Sequence, residues 1–130
     1  MRMIALLAAA LVLGGCATQK SKMVASMIGA GNAAALEAAA ACNFDEALRL
    51  SQHEAGSERP EIQLFSQFTQ AAIYSETGQA AKASAAVERA FTDPAMNPRD
   101  TSRQEMQDGA NAVQDMIRGR REETTGSPDC

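Results

Sequence analysis

Tyr74-Ser75-Glu76-Thr77-Gly78 followed by Gln79-Ala80-Ala81-Lys82-Ala83-Ser84-Ala85-Ala86-Val87-Glu88-Arg89-Ala90-Phe91-Thr92-Asp93-Pro94 contains a helix end, a complete helix and a second stop. Gly78 is a C-terminal helix signal, because glycine takes the left-handed conformation at little cost. Ala83, Ala86, Val87, Ala90 and Phe91 recur at helical spacing. Asp93-Pro94 ends the run, since the residue before proline is pushed out of the helical region. This predicts a helix over 80–92. Upstream, Pro60 suits a first helical position and opens a helix over 60–77. Its apolar residues Ile62, Leu64, Phe65, Phe68, Ala72 and Ile73 cover too wide an arc for one contact, which places it centrally. A helix over 44–54 presents Phe44, Ala47, Leu48 and Leu50, with Asn43 as N-cap and Glu46 as its capping-box partner. A first helix is expected over 24–41. Gly29 and Gly31 inside it cost ~1 kcal/mol each, and small residues there would let another helix approach closely. Downstream, Thr101 with Gln104 opens a fifth helix over 102–119, striped by Met106, Ala110, Val113 and Ile117. Arg118, Arg120 and Arg121 suit the negative end of its dipole and read as a solvated C-terminus. The fold class is all-α, a stack of antiparallel helical hairpins.

Composition agrees. The chain is rich in the helix formers Ala, Glu, Gln, Arg and Met, with few runs of Val, Ile, Thr or Tyr. A formal net charge of -4 provides no basic field, and with no Trp there is little to stack on bases. Nucleic acid and a polybasic lipid mode are therefore excluded as partners.

The first residues carry a different signal. Arg2 precedes an apolar run from Ile4 to Leu13, and Gly14-Gly15 stand immediately before Cys16. The run is shorter than the ~20 residues needed to cross a bilayer as a helix and has the layout of a secretory signal. Leu13-Gly14-Gly15-Cys16 resembles the lipobox of bacterial lipoproteins. The resemblance implies cleavage between Gly15 and Cys16, a diacylglyceryl thioether on Cys16, and further acylation of the new amino terminus. It implies a signal peptide over 1–15 and a lipidated tether over 16–23. Ala17 after the cysteine favours the periplasmic face of the outer membrane in such proteins. At ~3.3 Å per residue, the tether keeps the domain near the lipid.

Two cysteines remain, Cys42 and Cys130, and in an oxidising envelope they could pair. The alternative is a packed Cys42 and a free or intermolecular Cys130. The segment 120–130, rich in Thr, Gly, Ser, Pro and Asp from Glu122 onward, reads as a disordered tail.

Two helix pairs look alike. Tyr74, Gly78, Ala83 and Ala90 in one, with Pro94 one place early, and Phe44, Ala47 and Leu48 in the other, resemble tetratricopeptide (TPR) repeats. Aligning Cys42 with Gly78 gives a period of about 36 residues, near the ~34 of that family. Cys42 stands where the turn glycine belongs, Ala38 where the tyrosine belongs, and Gln67 where a large aromatic is usual. The resemblance covers Ala30 to Pro94 and implies about two repeats with the fifth helix as a cap. It also implies a concave surface, lined by the first and third helices of the chain, that binds peptides or partner proteins. Phe65, Phe68, Ala72 and Glu76 are the candidate partner contacts. The aromatic group Phe65, Phe68 and Tyr74 is more simply explained as core, and as a patch it would be hot-spot material.

No catalytic constellation is written in the chain. His53 is the only histidine, in a polar stretch that reads as an exposed helix face. Metal ligation needs several ligands at compatible spacing. Gly29-Ala30-Gly31 lacks the context of a phosphate loop. Neighbouring carboxylates such as Asp45-Glu46 point apart on a helix. The expectation is a non-catalytic envelope lipoprotein without cofactor or small-molecule substrate, acting as a protein-interaction scaffold. The alternative is a structural or surface-exclusion lipoprotein acting by position.

Overall fold

The computed structural model describes residues 22–130. The expected signal peptide, the expected cleavage and lipidation site at Gly15–Cys16, and the expected tether up to residue 21 lie outside the described residues. Within them the chain is all-α. Its helices are α1 (Lys22–Ile28), α2 (Ala30–Ala40), α3 (Phe44–Glu54), α4 (Pro60–Glu76), α5 (Ala80–Thr92) and α6 (Arg103–Thr125). No single described helix is long and apolar enough to cross a membrane.

The single helix expected over 24–41 is instead two. Gly29 has φ +90°, and the chain bends by 110° between α1 and α2. The glycines also admit a neighbour: the Gly31 amide donates to Glu54 Oε1 at 3.1 Å. A Cβ at Gly29 would lie 2.5 Å from Glu54 Oε2 and 3.0 Å from Ile62 Cγ2. Gly29→Ala is therefore expected to cost about 1–3 kcal/mol, mainly from forcing a side chain into a positive-φ extended conformation (φ +90°, ψ +140°) that glycine alone adopts readily, read as a lower urea midpoint with an unchanged slope. Asn32, fully buried, donates to the carbonyls of Ile28 (2.7 Å) and Ile62 (3.2 Å), fixing the bend against α4.

The turns closing the first two hairpins match. Asn43 N donates to Ala38 O (2.9 Å), and Gln79 N to Tyr74 O (2.8 Å). Cys42 (φ +63°) and Gly78 (φ +74°) occupy the same left-handed place in the two turns. Asn43 precedes α3 but makes no side-chain cap. Glu46, its expected partner, instead ion-pairs with Arg49 at 2.5 Å. At α6 the cap falls one residue after the expected Thr101, with Ser102 Oγ accepting from Glu105 N at 3.1 Å.

Helix α4 packs against α2, α3, α5 and α6, the central position its wide apolar surface requires. Ala39, Ala47, Ala72, Ile73, Val113 and Ile117 form one buried cluster across α2, α3, α4 and α6. Ala71, Ala86, Val87, Ala90, Met106 and Ala110 form a second across α4, α5 and α6. Ser51 and Ser66, both fully buried, bring α3 and α4 close by donating to one another's carbonyls at 3.1 and 2.5 Å. Gln67, where an aromatic was expected, accepts from Arg89 Nε of α5 at 2.9 Å.

The C-terminal region departs most from expectation. The helix expected to end at 119 continues to Thr125, and the segment read as a disordered tail is tied down. Arg121, one turn beyond Ile117 on the apolar stripe, is fully buried. It donates to the carbonyls of Ala39 (2.8 Å), Ala40 (3.3 Å) and Pro128 (2.6 Å). Arg118 pairs with Glu76 (3.4 Å) and Asp129 (2.6 Å), and Arg120 with Glu37 (3.2 Å). This basic cluster is thus the fastening of α6 to α2 and α4 rather than a solvated end. Cys130 is joined to Cys42, with a Cα–Cα distance of 5.9 Å.

Candidate functional site

The four candidate partner contacts on α4 have different fates. Ala72 is buried in the core. The Glu76 carboxylate, only 7% exposed, is shared by Arg118 and Arg121. Phe65 is half-buried against the first core cluster. Helix α6 packs against both α2 and α4, the two helices to which the TPR resemblance assigns the open concave face. That face is covered by the chain itself.

Phe68 lines a cleft among the described residues. A cleft of about 290 Å³ lies between α4, the α5–α6 loop and the first turns of α6. Leu64, Phe68, Met96, Pro98 and Met106 give it an apolar lining, and exposed Arg99 and Glu105 supply its charges. A second space of about 220 Å³ shares Leu64, Met96 and Pro98 and continues past Pro60 and Glu61. Together they form one groove around the Met96–Pro98 loop. Gly109 sets the depth of the main cleft, since a Cβ there would lie 2.6 Å from Phe68 Cε2.

The loop wall is rigid for identifiable reasons. Asp93 Oδ1 accepts from Ala95 N at 2.9 Å, turning the chain after α5. The buried Asn97 amide donates to Phe91 O (3.1 Å) and Thr101 O (2.9 Å), while its Oδ1 accepts from Thr101 N (2.6 Å). One side chain thereby replaces the backbone pairing that an irregular segment lacks. Arg103 stacks over Phe91, 4.3 Å from the ring centre, and pairs with Glu88 at 2.8 Å. The hydrogen bond from Arg103 holds the Glu88 carboxyl below its ordinary range. Asn97 is not among the residues singled out from the sequence. Its signal was Asn97-Pro98 four residues after Asp93-Pro94, two turn-forming pairs in one short connection.

At the low end of ligand-site volumes, this cleft has room for a few apolar side-chain groups beside one cation and one anion. His53 is exposed and lies with Glu54, Gly56 and Ser57 around a separate polar hollow. Among the described residues no three His, Cys, Asp or Glu side chains are grouped to hold a metal ion.

Compared with protein families, curated proteins and solved structures, the chain matches none.

Proposed function

We propose that this chain is a lipid-anchored envelope scaffold. In this reading Cys16 carries the acyl anchor on the periplasmic face of the outer membrane. The helical-hairpin domain docks a segment of a partner protein through the cleft at Phe68. The observation that carries the docking is the open apolar cleft, built on a wall that Asn97 makes rigid. Rigid apolar pockets with a charged rim are where protein partners place their anchoring side chains. The TPR-like character of the domain is supported by the matched turns at Cys42 and Gly78. The partner surface is moved from the concave face, where α6 lies, to the side of α4.

A photo-crosslinking residue in place of Arg99, in the full-length protein in its own cells, is expected to give one discrete protein adduct. The same residue in place of Asp115, exposed on α6 outside the cleft, is expected to give none. A second reading, a lipoprotein acting by position alone, is favoured by the covering of the concave face by α6. Absence of any adduct at Arg99, with loss of function on Cys16→Ser, would select it.

A further inference from the structure

We propose that α1 is a second membrane contact, with Met23, Val24 and Met27 seated in the headgroup region of the bilayer that Cys16 anchors. The proposal rests on the lipid-anchor reading above. The large hydrophobic side chains exposed among the described residues are Met23 (62%), Val24 (44%), Met27 (64%) and Met116 (49%). All but Met116 are on α1. At about 100° per residue they share an arc of about 100° on one side of the helix. Scattered apolar residues need no explanation, but a contiguous group rimmed by polar residues marks a contact surface. Exposed Lys22 and Ser26 border it along one side of α1, and Arg59 reaches that side at Ser26 O.

Two further observations select the bilayer as the occupant. Lys22 follows Cys16 by six residues, so an acylated Cys16 holds the start of α1 within about 20 Å of the lipid. The patch is also exposed and fixed in its orientation. The axes of α1 and α2 are bent by 110° at Gly29. Arg59 Nη1 donates to Ser26 O at 3.0 Å, and Asn32 to Ile28 O at 2.7 Å, so α1 is braced in that position. Three side chains would not keep a free domain on a membrane. With the tether supplying a high effective concentration, weak insertion suffices, to the ~5–10 Å depth typical of interfacial helices. The start of α4, which braces α1 through Arg59, also lines the groove through Pro60, Glu61 and Leu64. Seating α1 would therefore fix the height at which the groove stands above the lipid.

The chain contains no Trp, so Met27→Trp introduces a single reporter, and Met116→Trp an exposed control on α6. Each full-length variant is purified acylated and reconstituted into phosphatidylethanolamine–phosphatidylglycerol vesicles with brominated acyl chains. The Met27→Trp emission is expected to shift to the blue and to be quenched at least about twofold more than that of Met116→Trp, as shallow insertion requires. If the acylated protein floats with the vesicles while Met27→Trp emits as in water, the anchor stands and the second contact is refuted. Equal quenching of both variants also refutes it, because the domain then lies on lipid without a preferred face. A blue shift that grows with protein concentration in detergent without vesicles would assign the patch to a second copy. Absence of acylation and of flotation would remove both readings together.

Discussion

Arg121→Met is expected to lower the stability of the domain by about 3–5 kcal/mol, the range found when one partner of a buried charged network is removed. Methionine keeps the unbranched apolar stem, so the loss falls mainly on the guanidinium. Three carbonyl acceptors, at Ala39, Ala40 and Pro128, lose their donor. The nearly buried Glu76 carboxylate keeps only Arg118, at 3.4 Å. Ala39 and Ala40 are the last residues of α2, so Arg121 supplies the donor and positive charge that a helix C-terminus lacks. Arg121→Lys keeps the charge without the planar fork and is expected to recover only part of the loss. Urea unfolding followed by far-ultraviolet circular dichroism measures both. A midpoint unchanged in Arg121→Met would show that α6 does not depend on this fastening.

The second large effect concerns the crosslink between Cys42 and Cys130, separated by 88 residues. Closing a loop of that length removes unfolded-state entropy equivalent to about 4–5 kcal/mol in the chain-entropy treatment. Cys130→Ser is expected to lose most of it. Cys42→Gly breaks the same bond but should cost about 1 kcal/mol less, because Cys42 stands at φ +63° where glycine is unstrained. Equal or greater loss in Cys42→Gly would refute the role given to that conformation. Arg121 and the disulfide hold the same C-terminal residues, through Pro128 and Cys130, so Arg121→Met combined with Cys130→Ser should be less than additive.

Cys42 illustrates what is legible in a sequence of this kind. Its place in the turn followed from alignment with Gly78, but the reason for a cysteine at a left-handed position lies 88 residues away. The helices α4 and α5 were readable because Pro60, Gly78 and Asp93-Pro94 are local punctuation acting on the residues beside them, whereas α3 begins after Asn43 without the side-chain cap that pointed to it. The break at Gly29 was not, since glycine inside a helical pattern is either tolerated or bent, and the choice is made by Glu54 and Ile62 across the bundle. The true end of α6 was hidden for a related reason. Composition after Gly119 suggests disorder, yet the stripe Met106, Ala110, Val113, Ile117 reaches Arg121 at the next helical step. An arginine there is polar to any composition measure and buried in the fold. Of the candidate site, only Phe68 was found from sequence, because the cleft is made by a loop whose shape depends on the hydrogen bonds of one amide, Asn97.

The anchor at Cys16 is the premise shared by the scaffold function and the seating of α1, and the intact mass of the protein isolated from its own envelope measures it directly. The mass expected is that of a chain beginning at Cys16 with a diacylglyceryl group and, where the amino terminus is also acylated, one further acyl chain. A chain retaining Met1, or one beginning at Cys16 without lipid, would contradict it.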